Sequence, residues 1–144
     1  MSLLYAALKQ YRCILGHQRY NWVGSQRYTI AGSSLLPAGK ATVRFEFAYD
    51  GGRGGGGAGT IYVNGQQVGQ GRIDHTNANM FSGDEAADVG VDKGTPVTEE
   101  YKQKDNRFTG RIVKIVVQTG DTKLSDADKQ ELNKEKKASN DIID

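Results

Sequence analysis

The clearest pattern in the chain is an alternation of apolar and polar residues at 41–50. Its large apolar members occupy every second position and are Val43, Phe45, Phe47 and Tyr49. A period of two with β-branched and aromatic side chains predicts a strand that buries one face. Residues 108–117 predict another long strand, with Ile112 and Val116 on one face and further apolar residues on the other. Apolar residues on both faces indicate a strand sandwiched in the core.

A β-hairpin is predicted directly after the glycine-rich stretch that follows the first of these strands. Residues 60–63 are apolar or β-branched, and Asn64-Gly65 comes next. This dipeptide is typical of a two-residue type I′ turn, because both central residues of that turn need a positive φ. Residues 66–73 then return antiparallel to the strand before them.

Shorter strands are predicted at 26–31 and, more weakly, at 3–8, 11–15 and 87–91. Several strands separated by turn signals, with no helical period among them, are typical of an all-β fold. We therefore expect an antiparallel β-sandwich of the jelly-roll type. Its predicted core residues are Val43, Phe45, Phe47, Ile61, Val63, Ile112 and Val116.

The end of the chain has a different pattern. Ser125 and Asp128 fit the capping signature that begins a helix, and acidic residues precede basic ones, as the helix dipole favours. The helix has few large apolar residues, so it is interpreted either as a solvated helix leaning on the domain or as a helix that binds a partner. We expect a β-sandwich domain over residues 1–121 and a charged helical tail over 122–144.

Composition and charge narrow the function classes. A chain of 144 residues is one domain by length, and 19 basic against 17 acidic residues leave a net charge of +2. Nucleic-acid binders concentrate more basic charge, so no nucleic-acid partner is expected. No segment approaches the length of a membrane span, so no membrane partner is expected either. The single cysteine, Cys13, excludes an internal disulfide.

The glycine-rich run at 50–59 formally contains the G-x-G-x-x-G pattern of dinucleotide sites. Such a site needs the glycines to open a helix, whose N-terminus receives the pyrophosphate. Here they precede a predicted strand, so no dinucleotide or other cofactor is expected. The histidines, His17 and His75, lack the companions of a zinc site or of a hydrolase nucleophile elbow, so no catalytic residue is assigned.

A cluster of acidic residues is a candidate for calcium binding. Its members are Asp84, Asp88 and Asp92. Calcium requires six to eight oxygen ligands, and the stretch lacks the EF-hand pattern. Solvated loop carboxylates are the alternative interpretation.

Exposed aromatic residues are the other candidate, because rings stack on sugars in many β-sandwich modules. The candidates for ligand binding are Trp22, Tyr28 and Tyr101. The alternative for each ring is a place in the core.

A series of short motifs in a fixed order resembles the extra C-terminal region of long bacterial arylsulfatases, enzymes that hydrolyse sulfate esters. The motifs lie at 20–30, 36–40, 44–52, 61–65, 71–73, 88–90, 94–97, 108–112 and 123–128. Their order also resembles that of concanavalin- and laminin-G-like sandwiches. The resemblance implies an accessory module, so we expect a carbohydrate or a protein as its partner.

Two departures from that family matter. Its enzymes use a Cys or Ser in a C/S-x-P-x-R motif, matured to formylglycine beside a metal, whereas Cys13 is followed by neither the Pro nor the Arg. We therefore expect a non-catalytic domain that stands alone, without sulfatase activity. An enzyme of unrecognised chemistry is the less favoured alternative.

Residues 1–18 match the family poorly, which leads us to expect a truncated gene with a new start, such as a mobile gene cassette would carry. Such a fragment acting as an oligomerising structural or interaction protein is the alternative function. Because the first strands are abbreviated, we expect open sheet edges that a homodimer covers. The start has no basic leader and is short for a signal peptide, so a cytoplasmic location is expected by default, although the resembling enzymes are often exported.

Overall fold

A computed structural model describes residues 15–22, 25–78, 89–94, 96, 98–99, 101–102, 106–120 and 125–140. The predicted strand at 3–8, residues 11–14 of the one predicted at 11–15, and residues 1–14 of the poorly matching start at 1–18 lie outside this part of the chain. The described elements are β1 (Leu15–Trp22), β2 (Gln26–Leu35), β3 (Val43–Tyr49), β4 (Gly57–Val63), β5 (Gln66–Ile73) and α1 (Asp126–Asn140). In the described residues, no helix is both long enough and apolar enough to cross a membrane.

The strands form two antiparallel sheets, which confirms the all-β class with a C-terminal helix. One sheet is the β1–β2 hairpin, and the other has the order β3–β4–β5. The predicted turn between β4 and β5 is present, with φ of 51° at Asn64 and 85° at Gly65. The Asn64 side chain also accepts a hydrogen bond from the Thr42 N–H at 2.9 Å, which ties the turn to the start of β3.

The core lies where the β1–β2 hairpin packs on β4 and β5. Its buried members are Tyr20, Tyr28, Ile30, Ile61, Val63, Val68 and Ile73. Glycines in β5 let the two sheets approach closely. A Cβ at Gly69 would lie 2.5 Å from the carbonyl oxygen of Ala31, and one at Gly71 would lie 2.9 Å from Ile30. Here the glycines therefore serve the packing of strands.

Four of the seven predicted core residues do belong to this core or pack against it. Ile61 and Val63 are buried in β4. Phe45 and Phe47 are half-buried and contact the cluster from β3. The alternation at 41–50 therefore predicted correctly which face of β3 points inward.

The other three predicted core residues are exposed, which corrects the sequence prediction. Val43 and Ile112 are each 41% exposed, and Val116 is 63% exposed. Val43 begins β3, which is at the edge of its sheet. Because β3 pairs only with β4 among the described strands, no strand lies along its other edge to cover Val43. Residues 108–117 form no strand, because in the described part of the chain a single backbone hydrogen bond, from the Phe108 N–H to the Gly90 carbonyl, joins them to another segment. The described residues of the predicted strand at 87–91 are likewise not in a strand.

The glycine-rich run forms the connection between β3 and β4, and its last glycines open β4 rather than a helix. The Tyr49 hydroxyl donates to the Gly52 carbonyl and accepts from the Gly55 N–H at 3.1 Å. Thr76, which follows β5, donates from its hydroxyl to the Gly55 carbonyl at 2.7 Å. The loop is thus held by side chains on both of its flanks. This arrangement differs from a pyrophosphate site, which needs a helix N-terminus.

The C-terminal helix begins as the capping signature predicted. The Asp128 N–H donates to the Ser125 hydroxyl at 3.1 Å, and the Ser125 N–H donates to the Asp128 carboxylate at 3.0 Å. Hydrogen bonds from the Ser125 hydroxyl, and then from its N–H, lower the pKa of Asp128. In the glycine-rich loop, the Arg53 Nη1 lies 3.4 Å from the Glu131 Oε2 of the helix. This ion pair connects the helix to the β-domain.

Substitution of Ser125 by alanine should weaken this helix by about 1 kcal/mol, the usual cost of losing an N-cap. Because the pKa of Asp128 is depressed in the folded state, its contribution is present above the ordinary aspartate pKa and is lost as the pH falls through the folded pKa. We expect the circular dichroism signal at 222 nm to fall below about pH 4 in the natural chain. In the Ser125→Ala variant this signal should be lower at neutral pH and less sensitive to acid. Gln130→Ala, on the exposed side of the helix, is the control. It should leave the signal at neutral pH and its sensitivity to acid unchanged.

Candidate functional site

The outer face of the β1–β2 hairpin, which points away from the core, carries two arginines. The register pairs Arg19 with Thr29 and Asn21 with Arg27, so these four residues share one face of the hairpin. The residues between them face the core, where Tyr20 and its neighbours are buried. Alternation in β1 and β2 therefore places the arginines where a covering segment can reach them.

Residues 96, 98–99 and 101 provide that covering segment. The Arg19 guanidinium donates to the Thr98 hydroxyl at 2.6 Å, and the Arg27 guanidinium donates to the Glu99 carboxylate at 2.9 Å. Thr98 is buried, whereas the Arg27–Glu99 pair is exposed to solvent. Arg19 thus binds the buried part of the segment, and Arg27 binds its solvent-exposed rim.

A cavity of about 330 Å³ lies at this rim. Its lining residues are Arg27, Pro96, Thr98, Glu99 and Tyr101. The volume falls at the lower end of the range for small-molecule sites, which is about 300–1,000 Å³. The lining combines a guanidinium, a carboxylate and a hydroxyl with two rings, so it can donate hydrogen bonds, accept them and pack against an apolar surface.

Tyr101 is held in the wall of the cavity by a network centred on Asp92. The Tyr101 hydroxyl donates to the Asp92 carboxylate at 2.6 Å, and the Gly94 N–H donates to the other carboxylate oxygen at 3.2 Å. Asn106 bonds the backbone of Asp92 twice, by accepting from its N–H at 2.6 Å and by donating to its carbonyl at 2.9 Å. The network therefore fixes the ring of a buried tyrosine beside the cavity.

Asp92, at the centre of this network, is one of the residues predicted to bind calcium. Asp92 uses both carboxylate oxygens to hold the loop around Tyr101. Asp84 and Asp88 lie outside the described residues. Among the residues that are described, no group of three or more His, Cys, Asp and Glu side chains could hold a metal ion.

Of the three aromatic residues predicted to bind a ligand, only Tyr101 lines the cavity. Tyr28 is buried in the core, where its hydroxyl donates to Gln26 at 3.1 Å. Trp22 is half-buried against the core and stacks on His75 with ring centroids 4.6 Å apart. The structure does not bring the three rings to one surface, because Trp22 and Tyr28 occupy the inward-facing positions of the hairpin.

The Tyr20 hydroxyl bonds the loop that follows β5. The Asn77 N–H donates to the Tyr20 hydroxyl at 2.7 Å. Burial raises the pKa of Tyr20, although that hydrogen bond opposes the rise. Tyr20 therefore stays neutral over the physiological range and serves as a buried hydrogen-bonding group.

The sequence prediction did not select Arg27, Pro96, Thr98 or Glu99. Alternation in the hairpin was a usable signal, because a strand that buries Tyr28 and Ile30 must turn Arg27 and Thr29 outward. No sequence signal indicated that Glu99 would meet Arg27, since the two residues are 72 positions apart.

The chain matches no protein-family model, no curated protein and no solved structure. The class that the described residues define is an all-β fold of two antiparallel sheets with a C-terminal helix.

Proposed function

We propose that the chain is a non-catalytic module that binds carbohydrate. Its motifs resemble those of the C-terminal accessory region of long bacterial arylsulfatases. The observation that carries this proposal is the cavity between the outer face of the β1–β2 hairpin and the segment that contains Thr98, Glu99 and Tyr101. The absence of a C/S-x-P-x-R motif from the sequence supports the non-catalytic part.

The chemistry of the cavity suits a saccharide better than an apolar ligand. Sugar hydroxyls both donate and accept, and here Arg27 supplies donors while Glu99 supplies acceptors. Hydrogen bonds to charged groups of this kind are stronger than those between neutral groups. The apolar face of a sugar ring would pack against the rings of Tyr101 and Pro96, in the way that aromatic side chains commonly provide contact area.

A jelly-roll sandwich is the finer fold that we propose for the domain. Two features support it, namely the packing of the β1–β2 hairpin across β4 and β5 and the order of motifs shared with concanavalin-like sandwiches. In this arrangement the candidate site lies on the outer face of one sheet, where residues can vary without disturbing the core.

The proposal is tested by screening the purified chain on an array of neutral and sulfated oligosaccharides and measuring the best binder by isothermal titration. Arg27→Ala should weaken binding by roughly 10- to 100-fold, as expected for the loss of a hydrogen bond to a charged group. Glu99→Gln, which keeps the size of the side chain and removes its charge, should weaken binding by a smaller factor.

Arg44→Ala is the matched control. Arg44 also forms an exposed pair with a glutamate, Glu46, and it covers the ring of Tyr62, yet it lies on β3 and does not line the cavity. Its substitution should leave the dissociation constant unchanged. Equal losses in the Arg27 and Arg44 variants, or no binder on the array, would contradict the proposed function.

A further inference from the structure

Residues 111–117 form an exposed apolar segment without a strand partner. Val113 is 76% exposed and Val117 is 79% exposed, and Ile115 and Val116 between them are also exposed. In the described part of the chain, the backbone of this segment makes no hydrogen bond to another segment. Its β-branched sequence, with apolar residues on both faces, nevertheless favours an extended strand. Contiguous exposed apolar residues of this kind mark an interaction surface.

The outer edge of β3 is the complementary feature. Among the described strands β3 pairs only with β4, so one row of its backbone N–H and C=O groups faces no strand. Its inward-facing residues are also incompletely covered, since Phe45 and Phe47 are half-buried and Val43 is 41% exposed. An open strand edge is a template for the addition of another strand. The core thus lacks cover on the side where the edge is open.

The segment and the edge match in length, and each has a charged residue at its centre. Both contain seven residues, and antiparallel pairing about their centres places Lys114 opposite Glu46. That register brings apolar residues of the segment beside the inward-facing residues of β3. The inward pairs are Val43 with Val117, Phe45 with Ile115, Phe47 with Val113 and, at the end of the strands, Tyr49 with Arg111.

Other pairings fit less well. A slip by one residue would turn Lys114 to the inward face, beside Phe45 or Phe47, because each slip exchanges the two faces of a strand. Parallel pairing about the same centre would set Arg111 against Val43. The antiparallel register therefore gives three apolar inward pairs and places Arg111 beside the aromatic ring of Tyr49 rather than against Val43. It also sets Lys114 opposite Glu46, and opposite charges directly across a strand pair are stabilising.

We propose that residues 111–117 of one chain add to β3 of a second copy as a fourth, antiparallel strand, and that the second copy does the same in return. In its own chain the segment is tied near its start, where the Phe108 N–H donates to the Gly90 carbonyl at 2.6 Å and Ile112 packs on Gly90. Beyond that point it stays uncovered. A two-fold dimer covers both segments and both edges at once, since each copy carries both surfaces. This interface is separate from the cavity proposed to bind carbohydrate.

The first test is the mass of the full chain by analytical ultracentrifugation across micromolar to millimolar concentrations. The natural chain should approach twice its 15.7 kDa as the concentration rises. Lys114→Glu and Glu46→Lys should each raise the dimer dissociation constant about tenfold, because each places like charges opposite one another twice in every dimer. The double variant, with both charges exchanged, should return to within about threefold of the natural value. Lys134→Glu on the exposed side of α1 is the matched charge reversal and should change nothing.

The second test is a disulfide cross-link that reports the register. In a Cys13→Ser background, Glu46→Cys combined with Lys114→Cys should form a covalent dimer on oxidation, since directly opposed residues lie within disulfide distance. Glu46→Cys combined with Val113→Cys puts the thiols on opposite faces and should form no covalent dimer on oxidation. A chain that is monomeric at all concentrations would overturn the proposal. A cross-link within one chain would also overturn it, because the segment would then pair with its own β3.

Discussion

The Gly69→Ala variant is expected to lose about 3 kcal/mol of the free energy of unfolding, at the upper end of the usual cost of overpacking. A Cβ at this position would lie 2.5 Å from the carbonyl oxygen of Ala31 and 3.0 Å from the Cα of Gly32. Both are backbone atoms of β2, so no side chain can rotate away and the strand itself must shift. β2 and β5 form the contact through which the two sheets meet. A loss of this size is a large fraction of the stability of a small domain.

Gly120→Ala is the matched control for this substitution. An added Cβ there meets no atom within 4 Å, and its φ is not in the left-handed region. Alanine at position 120 should leave stability unchanged or raise it slightly, because it reduces the freedom of the unfolded chain. Urea unfolding followed by fluorescence of Trp22 measures both variants. Equal stability of the Gly69 and Gly120 variants would show that the two sheets do not pack as closely as described.

Substitution of Ile30 by alanine should cost about 4 kcal/mol, within the range for a fully buried isoleucine. Ile30 is 2% exposed and lies over Gly59 and Gly71, so it fills the space that these glycines leave between the sheets. Its removal leaves a cavity at the centre of the core that the backbones of two strands cannot easily close.

Ile115→Ala is the same chemical change at a residue that is 55% exposed. At protein concentrations too low for association, it should change the free energy of unfolding by less than about 0.5 kcal/mol. Comparing the stability losses of the Ile30 and Ile115 variants tests the structure, in which Ile115 is exposed, against the sequence prediction, in which residues 108–117 lie in the core. Similar losses at Ile30 and Ile115 would favour the sequence prediction.

Some features of this protein follow from residues that are close together in the sequence. The Asn64-Gly65 turn, the helix start at Ser125 and Asp128, and the inward face of β3 were all predicted correctly. Each depends on φ preferences, on a hydrogen bond between near neighbours or on strand periodicity, so a few consecutive residues contain all the information required. The all-β class follows from the same local signals taken together.

Other features depend on which segments meet, and only the tertiary structure decided them. Residues 108–117 have the composition of a core strand, but burial requires a neighbouring strand, and no local signal names one. Tyr20 and Tyr28, in contrast, have no strongly apolar surroundings in the sequence, yet they are buried because β1 and β2 turn that face onto β4 and β5. The cavity arises in the same way, since Arg27 and Glu99 are 72 residues apart and meet only because residues 96, 98–99 and 101 lie across the hairpin. A strand pattern determines the two faces of a strand, whereas the partner that covers each face is a property of the whole chain.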